Sequence, residues 1–204
     1  MTRPLFISFE GIDGAGKSTH LESTEARLRA VGASVCRSRE PGGTPLAETL
    51  REMVLNQPMA PLTEALLVFA ARHEHWLQVI QPALAAGQVV LCDRFADASF
   101  AYQGGGRGVA WAQLQALEEW TVAGRTPDLT LWFDLDPAEA ARRRAAARSA
   151  DRFEAEDLDF FSRVRAAYAR RLDEQPQRFE RIDAGQSLDG VAAQLAAALQ
   201  RRGW

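Results

Sequence analysis

The stretch LFISFEGIDGAGKS, residues 5–18, decides how the rest of the chain is read. Its apolar-leaning run from Leu5 to Phe9 predicts a buried strand. The residues behind it fit G-x-x-x-x-G-K-[ST], with Gly11, Gly16, Lys17 and Ser18 at the required spacing. Glycines there let the backbone curl so that successive N–H groups converge on a phosphate, and the following helix adds its positive N-terminus. Lys17 is placed to reach the β- and γ-phosphates, and Ser18 to offer a hydroxyl to Mg²⁺. A helix must follow, and Leu21, Thr24, Leu28 and Val31 recur behind Ser18 at helical spacing. Gly11, Ile12, Asp13, Gly14, Ala15, Gly16, Lys17, Ser18 and Thr19 are therefore the candidate ATP-binding segment.

Composition singles out the same lysine. The chain has 23 arginines and one lysine, Lys17. Where arginine has taken every other cationic position, a retained lysine marks a site that needs a compact ammonium rather than a planar fork.

At 204 residues the chain suits one domain with a substantial core. An apolar fraction of 47% and a charged fraction of 25% are ordinary for a globular protein. A net charge of −3 argues against a protein that coats nucleic acid. The two cysteines, Cys36 and Cys92, fall at or near the ends of apolar runs and read as free thiols suited to a reducing compartment. The N-terminus has no apolar leader region and no stretch approaches a membrane span, so a cytoplasmic protein without a membrane partner is expected.

Along the chain, strands are predicted over 33–39, 88–94, 128–135 and 179–183, alternating with helices. Thr44 and Pro45 make a cap and first-turn pair for a helix with Leu46, Leu50, Met53 and Val54 as its apolar stripe. A longer helix is predicted over 62–84, with Leu62, Ala65, Phe69, Arg72 and Trp76 on one face and Pro82 near its end. His73 and His75 read as surface residues. Asp93 ends an apolar strand after the phosphate loop, which places its carboxylate with Ser18 on the metal side. Residues 96–108 read as a short helix running into a flexible loop, and a helix is expected around 110–123. Asp136, Pro137 and Glu139 form a plausible cap, proline and capping-box acid. A helix over 157–173 carries Phe161, Val164, Tyr168 and Leu172. Ser187 caps a last helix with Leu188, Val191, Ala192, Leu195 and Leu199 spaced for burial. This alternation predicts an α/β fold of three layers, a five-stranded parallel sheet between helices.

A phosphate loop says nucleotide, not reaction. A guanine-reading N-K-x-D segment is impossible, because the one asparagine is Asn56 and the one lysine is in the loop. Transfer between small molecules needs cations on the moving phosphoryl and exclusion of water, commonly by a lid. Residues 142–156 form an arginine-rich candidate lid holding Arg142, Arg143, Arg144, Arg148 and Arg152. An arginine finger from such a lid is worth roughly 10³–10⁵ in rate.

Taken together, FEGIDGAGKS, REPGGT, the Phe69-Ala-Ala-Arg72 segment, Asp93-Arg94, AYQGGGRG, PDLTLWFDLDP and ADRFE resemble the bacterial thymidylate kinases, P-loop nucleoside monophosphate kinases. The resemblance runs from Phe6 to about Asp183. It implies strand order 2-3-1-4-5, transfer from Mg-ATP to dTMP giving ADP and dTDP, and a homodimer. Carried over by position, Asp13 would meet the sugar 3′-hydroxyl, and Arg94, with Arg39, would hold the dTMP phosphate. Phe69 would stack on thymine and Arg72 would hydrogen-bond its carbonyl. Ser99 and Gln103 would line the base edge, Tyr102 would crowd the 2′ position, Arg142 would join the ATP site, and Arg152, or Arg148, would stabilise the transition state. Phe95 departs from the tyrosine or histidine common there. Lys17, Arg152, Asp13 and Arg94 are the candidate catalytic residues. The rival reading is a deoxynucleoside kinase, in which Glu40 would supply the base that a sugar hydroxyl needs.

Overall fold

Five short runs form β1 (Phe6–Glu10), β2 (Val35–Arg39), β3 (Val89–Asp93), β4 (Leu129–Asp134) and β5 (Phe179–Asp183), with β1, β3 and β4 rich in β-branched and aromatic residues. They lie in the order β2-β3-β1-β4-β5, with each neighbouring pair parallel. The computed structural model describes residues 5–145, 152–153 and 156–204, with the side chains of 144 and 145 also outside the description. Central β1 is buried along its whole length, as a parallel strand covered on both faces must be. Ile7 and Phe9 pack into one apolar cluster with Leu91, Leu131 and Phe133. Phe6 packs into another with Val90, Cys92 and Phe95.

Register sets the site. Phe9 pairs with Asp93, and Asp93 with Arg39, so β1, β2 and β3 end side by side. The phosphate loop, the 40–44 turn and the Arg94 corner leave from that shared edge, where parallel α/β sheets bind ligands.

Helix α1 (Lys17–Ala30) follows the loop directly. α2 (Pro45–Asn56) starts as expected, with the Thr44 side chain accepting from Ala47 N. Its stripe is rotated, however. Ala47 and Val54 are the buried residues, whereas Leu46 and Met53 are exposed. The long helix runs as α3 (Pro61–His75) and α4 (Gln81–Ala85), joined by a wide turn over Trp76–Ile80 in which Gln81 N reaches Trp76 O. Pro82 sits just past that turn, where the regular ladder is already interrupted. Leu62 is exposed, and His75 is fully buried rather than on the surface.

The expected loop at 96–108 is helical. α5 (Ala96–Ser99) continues through a second wide turn, Phe100–Gly106, which is buried almost throughout. Its glycines serve close approach rather than flexibility. A Cβ on Gly105 would lie 2.6 Å from Ala167 Cβ and 2.7 Å from the Arg163 carbonyl of α8 (Leu158–Glu174).

α6 (Trp111–Val122) and α7 (Pro137–Ala145) lie close to the expected ranges. Asp136 caps α7 through Ala138 N and Glu139 N, but Glu139 pairs with Arg142 and Arg143 instead of completing a capping box. Ser187 caps α9 (Leu188–Arg201) through Gly190 N. That helix buries Val191, Leu195, Ala198 and Leu199, leaving Leu188 and Ala192 outside.

Candidate active site

Gly11 adopts φ 134°, and a Cβ there would lie 2.5 Å from the Phe133 carbonyl. Only glycine lets the loop turn this close to β4. Lys17 is buried, and its Nζ donates to the carbonyls of Gly11 at 3.0 Å and Ile12 at 3.2 Å, with Asp13 Oδ1 at 3.8 Å. Burial, and then the Arg94 charge, lower its pKa against the pull of Asp13, Asp93 and Glu10. α1 has no side-chain cap and no acidic residue in its first turn, so its N–H groups are left for an anion. Ser18 and Thr19 are exposed at that end.

Asp93 Oδ1 is buried without a hydrogen-bond partner among the described residues. A carboxylate oxygen in that state, with the Ser18 hydroxyl, fits Mg²⁺, which takes one or two protein oxygens and completes its octahedron with phosphate and water. Among the described residues no cluster of three or more metal-ligating side chains offers another site.

Arg94 turns the chain after β3 at φ 70°. Its Nη2 donates to Asp13 Oδ1 at 2.8 Å and Tyr102 Oη at 3.1 Å, and its Nη1 reaches Tyr168 Oη at 3.4 Å. Burial works against its charge, but Asp13, Tyr102, Tyr168 and Asp93 outweigh it and hold the pKa well above the ordinary value. Behind it, Glu10 accepts from Phe95 N at 2.6 Å and from Tyr168 Oη at 2.9 Å. Burial and then Asp97 push the Glu10 carboxyl up to about 8, although Arg94, Tyr168 and Phe95 pull the other way.

From Arg94 a cavity extends between α2, α3 and α5. Its lining takes Arg51, Val54 and Leu55 from α2, Val68 and Arg72 from α3, and Phe95, Ser99, Tyr102 and Gln103 from the segment after β3, with Phe153. Asp13, Glu40 and Pro41 close the end nearest the phosphate loop. Arg72 donates Nε to Glu40 Oε2 at 2.7 Å, and Nη2 to the Phe95 carbonyl at 3.1 Å and Ser99 Oγ at 3.0 Å. Its Nη1 is buried and has no hydrogen-bond partner among the described residues. Such a site suits a ligand with an anionic group near Arg94 and a planar body carrying an acceptor for Arg72.

The thymidylate kinase family model matches residues 9–195. The chain belongs to the thymidylate kinase family. It is 54% identical over 211 residues to the thymidylate kinase of Albidiferax ferrireducens, covering 100% of this chain and 98% of that one. It is 56% identical over 199 residues to that of Paraburkholderia xenovorans, covering 96% and 97%. The crystal structure of thymidylate kinase from Ehrlichia chaffeensis matches with a TM-score of 0.80 at 30% identity, covering 98% of this chain and 100% of that one.

Of the site residues expected for a thymidylate kinase, Asp13, Lys17, Arg72, Arg94, Ser99, Tyr102 and Gln103 come together around the loop and cavity. Four do not. Arg39 is exposed and paired with Glu48 at 2.9 Å, and Arg51 stands in the cavity wall instead. Phe69 is 1% exposed and not part of the cavity wall. Its ring lies 4.4 Å from Arg72 Cζ, in a cluster with Ala65, Phe100 and Leu114. Arg142 is exposed and paired with Glu139 on its own helix.

Arg152, expected at the transferring phosphate, is turned toward α2 and α3. It donates Nη2 to Glu64 Oε2 at 2.5 Å and Nε to the Val54 carbonyl at 3.0 Å. The buried Glu64 is the reason, since it also accepts from Gln103 and needs cations around it. The lid reading falls largely on 146–151 and 154–155, outside the described residues, as does Arg148.

The sequence reading missed Arg51, Glu64, Glu10 and His75. Arg51 carried a signal, standing three and four residues before Val54 and Leu55 on one helical face. The other three gain their roles only through residues far away in the chain.

Proposed function

We propose that this chain transfers the γ-phosphoryl of Mg-ATP to dTMP, giving ADP and dTDP. One observation carries the choice of a monophosphate over a nucleoside as acceptor. The cavity's carboxylate, Glu40, has both oxygens engaged, by Arg72 Nε at 2.7 Å and His75 Nδ1 at 2.9 Å, while arginines line the wall. A nucleoside kinase needs a free base for a sugar hydroxyl. A phosphate monoester, with a second pKa of ~6, is already largely dianionic and needs cations instead.

In this reading Arg94 and Arg51 hold the acceptor phosphate, and Asp13 orients both Arg94 and the sugar 3′-hydroxyl. The unpartnered Nη1 of Arg72 donates to a thymine carbonyl, between Ser99, Gln103 and the apolar side chains of Val68 and Phe95. Tyr102 stands against the sugar. The loop N–H groups and Lys17 bind the ATP phosphates, Lys17 exchanging its two carbonyl partners for phosphate oxygens. Ser18 and Asp93 would hold Mg²⁺, which when bound neutralises charge on the bridging phosphate oxygens. Arg152 reaches the transferring group only by exchanging Glu64 for it. The fold works as one kinase domain with 142–156 as its lid.

The reading extends to a cytoplasmic homodimer. Leu62, Leu66 and Leu77 are exposed along one side of α3 and the wide turn after it, beside exposed Trp120 of α6. His73 Nδ1 joins the two elements through the Thr121 carbonyl at 2.6 Å. Exposed apolar side chains on two helices packed together suit a second copy. No helix among the described residues is long and apolar enough to cross a membrane.

The test is ADP formation from Mg-ATP with dTMP, dUMP, thymidine or no acceptor, with Lys17→Ala as the blank. Turnover with dTMP and none with thymidine supports the reading. Turnover with thymidine alone overturns it.

A further inference from the structure

Arg72 is tied through Glu40 to two groups, His75 and Ser38, that lie outside the cavity it serves. Glu40 Oε2 accepts from Arg72 Nε at 2.7 Å and Glu40 Oε1 from His75 Nδ1 at 2.9 Å, while Ser38 Oγ lies 2.6 Å from His75 Nε2. Arg72 and His75 stand three apart on α3, so one helical face presents both to the same carboxylate. We infer that His75 is a positioning residue for Arg72, holding through Glu40 the guanidinium that reads the acceptor's base.

A carboxylate oxygen accepts, so Nδ1 presents its hydrogen to Glu40 Oε1, while Nε2 faces the Ser38 hydroxyl, which can either donate or accept. Both ring nitrogens of His75 and both oxygens of Glu40 are thereby engaged. The slot has no spare room. A Cβ on Gly43 would lie 2.5 Å from His75 Cδ2 and 2.7 Å from Ser38 Oγ. The Glu40 backbone is held as well, its N–H bonded to the Asp93 carbonyl at 2.9 Å. With Nε and Nη2 engaged, the orientation of the Arg72 plane is set, and Nη1 is its one nitrogen without a partner among the described residues. Serine, histidine and glutamate follow one another here as in a hydrolytic triad. Neither Ser38 nor His75 lines the cavity, however, so the arrangement orients an arginine and presents no nucleophile.

The inference rests on the reading that Arg72 meets the acceptor's base, and the experiment separates the two. Steady-state kinetics with Mg-ATP and dTMP are measured for the whole chain and for Arg72→Ala, His75→Ala, the double variant and His75→Asn. His75→Ala should raise the dTMP KM about tenfold while kcat and the ATP KM stay within about twofold. In the Arg72→Ala background it should add nothing, because the two residues act as one unit. His75→Asn, whose amide donor replaces Nδ1–H, should return the dTMP KM to within about threefold of the starting value.

An unchanged dTMP KM in His75→Ala, an additive loss in the double variant, or no recovery in His75→Asn overturns the relay. An unchanged dTMP KM in Arg72→Ala overturns the base-reading role itself. If His75→Ala does not fold, Ser38→Ala carries the test, with an expected rise of about threefold in dTMP KM and an unchanged value as the overturning result.

Discussion

Arg94 Nη2 lies 2.8 Å from Asp13 Oδ1, so the corner after β3 is tied to the phosphate loop by a charge-assisted hydrogen bond. That contact sets a cation of the cavity beside the phosphate loop, and positioning is most of what phosphoryl transfer asks of a protein. Arg94→Ala should lower kcat/KM for dTMP about 10²-fold or more, with the ATP KM within about threefold, in steady-state assays varying each substrate.

The hydroxyl of Tyr168 bridges Arg94 and Glu10, donating to the carboxylate while accepting from the guanidinium. Tyr168→Phe keeps the ring and leaves Glu10 Oε2 without its donor. The expected loss is about 1–3 kcal/mol of unfolding free energy, read from urea denaturation, with a higher dTMP KM.

Gly105 lies against α8 with no space for a side chain. Gly105→Ala should cost about 1–3 kcal/mol by forcing the two helices apart. The same helical segment carries Tyr102 and Gln103, so the lower Tm should come with weaker dTMP binding by calorimetry.

Asp97 accepts from Arg171 Nε at 2.7 Å and from both terminal nitrogens of Arg178, all buried. Burial opposes its charge, but Arg178 and then Arg171 outweigh that and pull its pKa to about 2 from 3.8. A depressed folded pKa contributes stability that is full above the unfolded value and lost as pH falls through the folded one. This carboxylate therefore supplies about 2 kcal/mol that disappears between about pH 4 and 2. Asp97→Asn should lose about 3–5 kcal/mol at neutral pH, because two buried guanidiniums lose their counter-charge. Thermal unfolding from pH 5 to 2 should show a flatter acid limb in the variant.

Strands β1, β3 and β4 were legible because each is a short apolar run ended by a charge, and the phosphate loop because its spacing is tied to one backbone shape. The 96–106 helix was not, because three glycines in a row read as a loop until α8 is seen lying against them. Arg72 was legible as a charge inside an apolar face that must find a partner, but Glu40 and His75, which satisfy and orient it, lie on two elements. Phe69 and Arg152 show the opposite limit. Resemblance gave each a ligand, whereas the fold gives Phe69 a packed cluster and Arg152 the buried carboxylate of Glu64. Apart from Ala65, one turn before Phe69, these neighbours lie far away in the chain.

Lys17 is the one lysine in the chain and is 6% exposed, at the first residue of α1. A lysine-specific protease therefore has a single bond to cut, after Lys17 and inside the phosphate loop. The helix start must unravel before that bond can enter a protease cleft, so the rate of this one cleavage measures how often the nucleotide cradle comes apart.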